Sequence, residues 1–135
     1  MVIYVDTSAF VKLVWAEPES EALQHFLAER RDAALVSSVL LTVETRRAVL
    51  REDPSQISRA DLLLTRVGQV AITRALVEVA SRFPDPHLRT LDAIHLATAL
   101  QLRGDVEAFV TYDRRLAPAA KNQGLVITTP GGEAS

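Results

Sequence analysis

Four carboxylates in this chain, Asp6, Glu44, Asp92 and Asp113, have the type and placement that metal-assisted chemistry requires. Asp6 ends the apolar run at residues 2–5, and Asp113 follows another at 108–111. Glu44 lies among Leu40, Leu41, Val43 and Ala48; Asp92 is flanked by Leu91, Ala93 and Ile94. A carboxylate beside an apolar face is costly to ionise unless it is paired or bound to a cation. Neither Glu44 nor Asp92 has an obvious local counter-ion, because Arg46 and Arg47 point to other sides of a helix carrying Glu44. Magnesium and manganese suit such a set: they take oxygen ligands, keep several waters, and are held by a few carboxylates plus substrate phosphate. One such ion activates water, and a second stabilises the leaving oxygen of an in-line displacement. Each acid alone has a plainer role. Asp6 could cap a helix beginning at Thr7, Asp92 could complement a helix dipole, Asp113 could open a turn, and Glu44 could reach a distant arginine. Four acids at matching ends of their elements favour one site.

The elements that must position them follow from periodicity. Residues 2–5, 34–36, 70–72, 108–111 and 125–127 read as short, apolar, β-branched strands. Between them the pattern predicts helices over 9–15, 19–31, from Ser37–Ser38 to about 51, 57–67, 75–83, 91–102 and 114–122. Thr7 and Ser8 are cap candidates for the first helix, and Ser37 and Ser38 open the third. Thr90 is the expected cap of the most apolar helix, with Gly104 closing it; Gly124 closes the last. Strands alternating with helices predict one α/β domain over 1–129, a parallel sheet covered by helices on both faces, and a flexible tail at 130–135. In such sheets ligands bind outside the carboxyl ends of the strands. Asp6 and Asp113 lie at those ends, Asp92 at a helix start on the same edge, and Glu44 in the helix after the second strand.

Composition bounds the function further. At 135 residues, 48% hydrophobic and 24% charged, the chain suits one globular core. The absence of cysteine excludes disulfides, thiolate metal sites and a cysteine nucleophile, and agrees with a reducing cytoplasm. No basic start with a long apolar stretch marks a signal peptide, and no run reaches membrane-span length, so a cytoplasmic protein without membrane association is expected. A net charge of −2 is not the footprint of nucleic-acid binding by bulk charge. Only Lys12 and Lys121 are lysines among 15 basic residues; the local patches Arg46–Arg47–Arg51 and Arg114–Arg115 could still steer RNA. No phosphate-cradling G-x-x-x-x-G-K-[ST] loop or G-x-G-x-x-G fingerprint occurs. Ser8 stands where an aspartyl phosphatase would carry its second aspartate. His95, one helical turn from Asp92, reads as a packing or supporting residue, and His25 and His87 receive no role. Phe10 and Trp15 beside the first acidic turn read as core, with a partner-binding groove as the alternative.

Four segments resemble PIN domains, especially the VapC-type toxins of bacterial toxin–antitoxin pairs. V-I-Y-V-D-T-S-A-F at 2–10 is similar to their opening, T-V-E-T-R-R-A at 42–48 to their glutamate-bearing helix, L-D-A-I-H-L-A-T-A at 91–99 to their most recognisable segment, and F-V-T-Y-D-R-R-L at 109–116 to their last acidic motif. The segments keep the family's order and span nearly the whole chain. The resemblance implies a three-layer α/β/α sandwich and a toxin that cleaves RNA with Mg²⁺ or Mn²⁺ by metal-activated water. It implies Asp6, Glu44, Asp92 and Asp113 as catalytic metal-binding residues, with Thr7, Ser8 and Thr111 in support. A cognate antitoxin, an RNA substrate and a homodimer follow from the same resemblance. The alternative is a non-catalytic RNA-binding or protein-interaction module on the same fold, which loss of an acid would favour; none is lost.

Overall fold

The computed structural model describes residues 1–132. Five strands, β1 (Val2–Val5), β2 (Ala34–Ser38), β3 (Gly68–Val70), β4 (Val106–Val110) and β5 (Ile127–Thr128), form one sheet in the order β3-β2-β1-β4-β5, with every pairing parallel. Seven helices fill the connections: α1 (Thr7–Val14), α2 (Ser20–Ala28), α3 (Leu40–Glu52), α4 (Ile57–Leu64), α5 (Arg74–Ala80), α6 (Thr90–Gln101) and α7 (Leu116–Asn122). A parallel sheet must be covered on both faces. Ile3, Val5, Ala108 and Val110 face one core with Phe10, Leu23, Leu41, Val49 and Leu64 of α1–α4. Tyr4, Val106 and Phe109 face the other with Leu96, Ala99, Leu116 and Ala120 of α6 and α7. The alternation along β1 thus divides two cores, and the fold is the expected three-layer α/β/α sandwich.

The strand order places a topological switch at β1. The chain leaves β1 toward β2 and β3, then returns to add β4 on its other side. Crossovers that diverge on either side of one strand leave a crevice at its carboxyl end. Asp6 follows β1 directly, and Asp113 lies three residues beyond β4.

Local details differ from the sequence reading where tertiary contacts intervene. Ser37 and Ser38 continue β2 instead of opening α3, because they pair with Gln69 and Val70 of β3 and the Ser37 hydroxyl donates to Val5 O at 2.6 Å. β3 accordingly starts at Gly68, two residues early. The first residue of α6 is Thr90 and its N-cap is Arg89, so Thr90 is not the capping side chain. Gly104 lies past the end of α6 without a positive φ, whereas Gly124 takes φ 88° after α7. There Leu125 N donates to Ala120 O at 3.2 Å, closing the last turn as a left-handed glycine permits. Phe10 is fully buried, which removes it from any partner-binding groove; Trp15 packs partly exposed on the same core. At the C-terminal end Tyr112 Oη donates to Pro130 O at 2.7 Å and Thr129 Oγ1 to Thr111 O at 3.0 Å. Residues 133–135 of the expected tail lie outside the described residues. Among the described residues no helix is long and apolar enough to cross a membrane.

Candidate active site

Asp6 is the N-cap of α1, with its side chain accepting from Ala9 N at 3.0 Å. Ser8 Oγ donates to the same oxygen at 2.7 Å, and Thr111 Oγ1 donates to the other at 2.6 Å. The capping role weighed for Asp6 is therefore real, and it coexists with a carboxylate fixed from both sides. Tyr112 N donates to Ser8 Oγ at 2.9 Å and Asp113 N to Thr111 Oγ1 at 3.0 Å, so the two hydroxyls lock the end of β1 to the end of β4. Only 3% of Asp6 is exposed, and burial raises its proton affinity against these donors.

Asp113 Oδ1 accepts from Arg115 N at 2.8 Å and Leu116 N at 3.0 Å, which opens the turn into α7. Its other oxygen takes no part in these bonds. Glu44, on α3, reaches no arginine. Its Oε1 accepts from Thr7 Oγ1 at 2.9 Å and lies 2.7 Å from His95 Nε2. Asp92 sits in the first turn of α6, and its Oδ2 is buried with no hydrogen-bond partner. Burial, then the negative charges of Asp113, Asp6 and Glu44, push the Asp92 carboxyl up to about 6; His95 opposes that rise. The four acids thus meet at one edge of the sheet, near enough for each of the other three to be felt at Asp92.

The donors are hard oxygens, one buried carboxylate oxygen of Asp92 has no partner, and mutual repulsion calls for a cation. That chemistry fits magnesium or manganese. Among the described residues no three His, Asp or Glu side chains stand close enough to hold one ion directly between them. An ion there would take fewer than three of these side chains directly, and magnesium and manganese commonly bind through one or two carboxylates while keeping several waters.

Two participants lie outside the acidic set. Tyr4 Oη is 2.7 Å from His95 Nδ1, which extends the chain of contacts from Glu44 into the core. Two sequence signals could have found them. Tyr4 stands two residues before Asp6, on the same side of a strand, and His95 stands three after Asp92, on the same face of a helix. Of the basic patches, Arg46 pairs with Asp61 and Arg51 with Glu52, each through Nε on the exposed surface. Arg114 and Arg115 are exposed beside Asp113.

Comparison with known proteins agrees with this architecture. The PIN domain profile matches residues 3–122. Ribonuclease VapC35 of Mycobacterium tuberculosis is 41% identical over 132 residues, covering 96% of this chain and 97% of that protein. Ribonuclease VapC47 of the same species is 40% identical over 134 residues, with coverage of 96% and 97%. Among solved structures, Mycobacterium tuberculosis VapC20, a sarcin–ricin-loop-cleaving toxin, shares the fold with a TM-score of 0.72 at 20% identity, covering 95% of this chain and 99% of that one. The VapBC2 complex of Rickettsia felis, bound to a promoter DNA fragment, gives 0.74 at 12% identity with coverage of 96% and 99%. With its sheet order, its acidic edge and these matches along nearly its whole length, the chain belongs to the PIN domain family, on the branch of the VapC ribonucleases.

Proposed function

We propose that this chain is a divalent-metal-dependent ribonuclease and the toxin of a toxin–antitoxin pair, acting in the cytoplasm. The observation that carries the reading is Asp92: a carboxyl raised to about 6 by burial and by Asp113, Asp6 and Glu44, with an oxygen lacking any partner. Asp6, Glu44, Asp92 and Asp113 would hold Mg²⁺ or Mn²⁺, and Thr7, Ser8 and Thr111 support them through their bonds to Glu44 and Asp6. When bound, the ion supplies an acidified water and offsets negative charge at the phosphate.

The protein's own part is positioning. Ser8, Thr111 and Ala9 N hold both oxygens of Asp6 in place. Two backbone N–H groups hold one oxygen of Asp113 and take no part at the other. Asp92 Oδ2 has no donor among the described residues, so it can give up a proton and accept a cation. The four carboxylates repel one another and RNA phosphate, a charge that a bound cation would offset. Water attacks phosphorus, the P–O3′ bond breaks, and the products carry a 5′-phosphate and a 3′-hydroxyl. No covalent enzyme intermediate is involved, since the chain has no cysteine and no nucleophilic triad stands at the site. Mapping the ends of cut RNA tests this step. A 5′-phosphate is expected, and a 2′,3′-cyclic phosphate overturns it, because that product requires attack by the RNA's own 2′-hydroxyl.

An antitoxin would silence the site by placing an arginine or lysine among the four acids, offsetting their repulsion in place of the ion. A homodimer has a candidate face in α3 and the residue before it: Val39, Val43 and Leu50 are exposed and fall on one stripe.

A further inference from the structure

Glu44 is the one acid of the cluster held by a buried imidazole. His95 is 2% exposed, and both of its ring nitrogens are engaged: Nδ1 at 2.7 Å from Tyr4 Oη, Nε2 at 2.7 Å from Glu44 Oε1. Tyr4 is fully buried, its ring stacked on Phe109 with centroids 5.1 Å apart and planes 7° apart. A carboxylate only accepts, so Nε2–H is the donor to Glu44, and Tyr4 Oη closes the other side of the ring at Nδ1. Thr7 Oγ1 donates to the same oxygen at 2.9 Å. Both donors converge on Oε1, and no hydrogen bond to Oε2 occurs among the described residues. A carboxylate with one oxygen saturated by two fixed donors presents the other in one direction.

We propose that Tyr4 and His95 are positioning residues: a buried hydrogen-bonded line, Tyr4 to His95 to Glu44, that fixes Glu44 so that Oε2 is aimed at the divalent ion. This rests on the metal-site reading above and deepens it. Any buried imidazole needs its nitrogens paired; a purely space-filling one would not need a cluster acid, Glu44, as the partner. The line also joins three elements that each carry a cluster acid next to the contact: β1 leads into Asp6, α6 carries Asp92 one turn before His95, and α3 carries Glu44. Loss of a partner that orients a metal-binding side chain typically weakens metal affinity about 10- to 100-fold.

The test is Mn²⁺ binding to the full chain without RNA, followed by electron paramagnetic resonance, with folding checked by circular dichroism. His95→Ala is expected to weaken Mn²⁺ binding about 10-fold or more. His95→Gln, which retains an N–H donor, is expected to recover most of it. Tyr4→Phe removes one hydroxyl from an otherwise intact stack and is expected to weaken binding several-fold, about 3- to 10-fold. If His95→Ala does not fold, Tyr4→Phe decides alone: weakened binding supports the proposal, and wild-type binding overturns it. A folded His95→Ala that binds Mn²⁺ like wild type also overturns it. If Asp6→Asn abolishes binding while His95→Ala and Tyr4→Phe leave it unchanged, the positioning role falls and the metal site stands. If the wild type binds no Mn²⁺, both fall.

Discussion

At Asp92 two effects add, burial and the field of three other carboxylates, and both favour the proton. A carboxyl bound more tightly to its proton in the folded state than in the unfolded chain lowers stability as pH rises from its ordinary value, 3.8, to about 6. Below that window both states are protonated, and above it the penalty is constant. Asp92→Asn removes the penalty, so without metal the variant should melt higher than wild type at pH 7 and equally near pH 4. The gap should be of order 1 kcal/mol after solvent screening, or a few degrees in Tm. Thermal melts of both proteins in chelator across pH 4–8 check this, and a gap independent of pH would contradict it. Asp6 and Asp113 were legible because each follows an apolar run, Glu44 and Asp92 because each is set among apolar residues of a helix. Tyr4 and His95 were not joined to Glu44, since their contact spans 91 and 51 residues and no local signal encodes it.

Among the elements, alternation of strand and helix was enough to read the parallel sheet, because each β-branched run is short and each helix has one apolar stripe. Boundaries failed where a partner strand or an alternative cap decided them. Ser37 and Ser38 look like helix openers, yet pairing with Gln69 and Val70 holds them extended. That extension places Glu44 in the second turn of α3, beyond the carboxyl end of β2. Gly124 was legible because its role is local: φ 88° is open to glycine and costly for residues with a Cβ. Gly124→Ala should cost about 1 kcal/mol by urea unfolding while leaving RNA cleavage intact, since α7 ends away from the acidic edge. A loss of cleavage in a folded variant would show that the turn after α7 matters to the site.

For the whole molecule, the two-sided core explains why a chain of 135 residues and net charge −2 can carry so charged an edge. Its stability comes from apolar faces remote from the carboxylates, which leaves the site free to be electrostatically unfavourable until a cation arrives. The exposed stripe of Val39, Val43 and Leu50 is the kind of surface that a second copy covers. Sedimentation should show a dimer, with Val43→Arg shifting it toward monomer; a wild-type monomer at working concentration would remove the dimer. The central claim is that the four acids act through a divalent ion on RNA. Its most direct measurement is cleavage of RNA by purified protein in Mg²⁺ or in chelator, with Asp92→Asn beside wild type. Wild type should cut only with the ion, and the folded variant should lose about 100-fold or more of that activity; equal cleavage in chelator, or an unimpaired Asp92→Asn, would contradict the account.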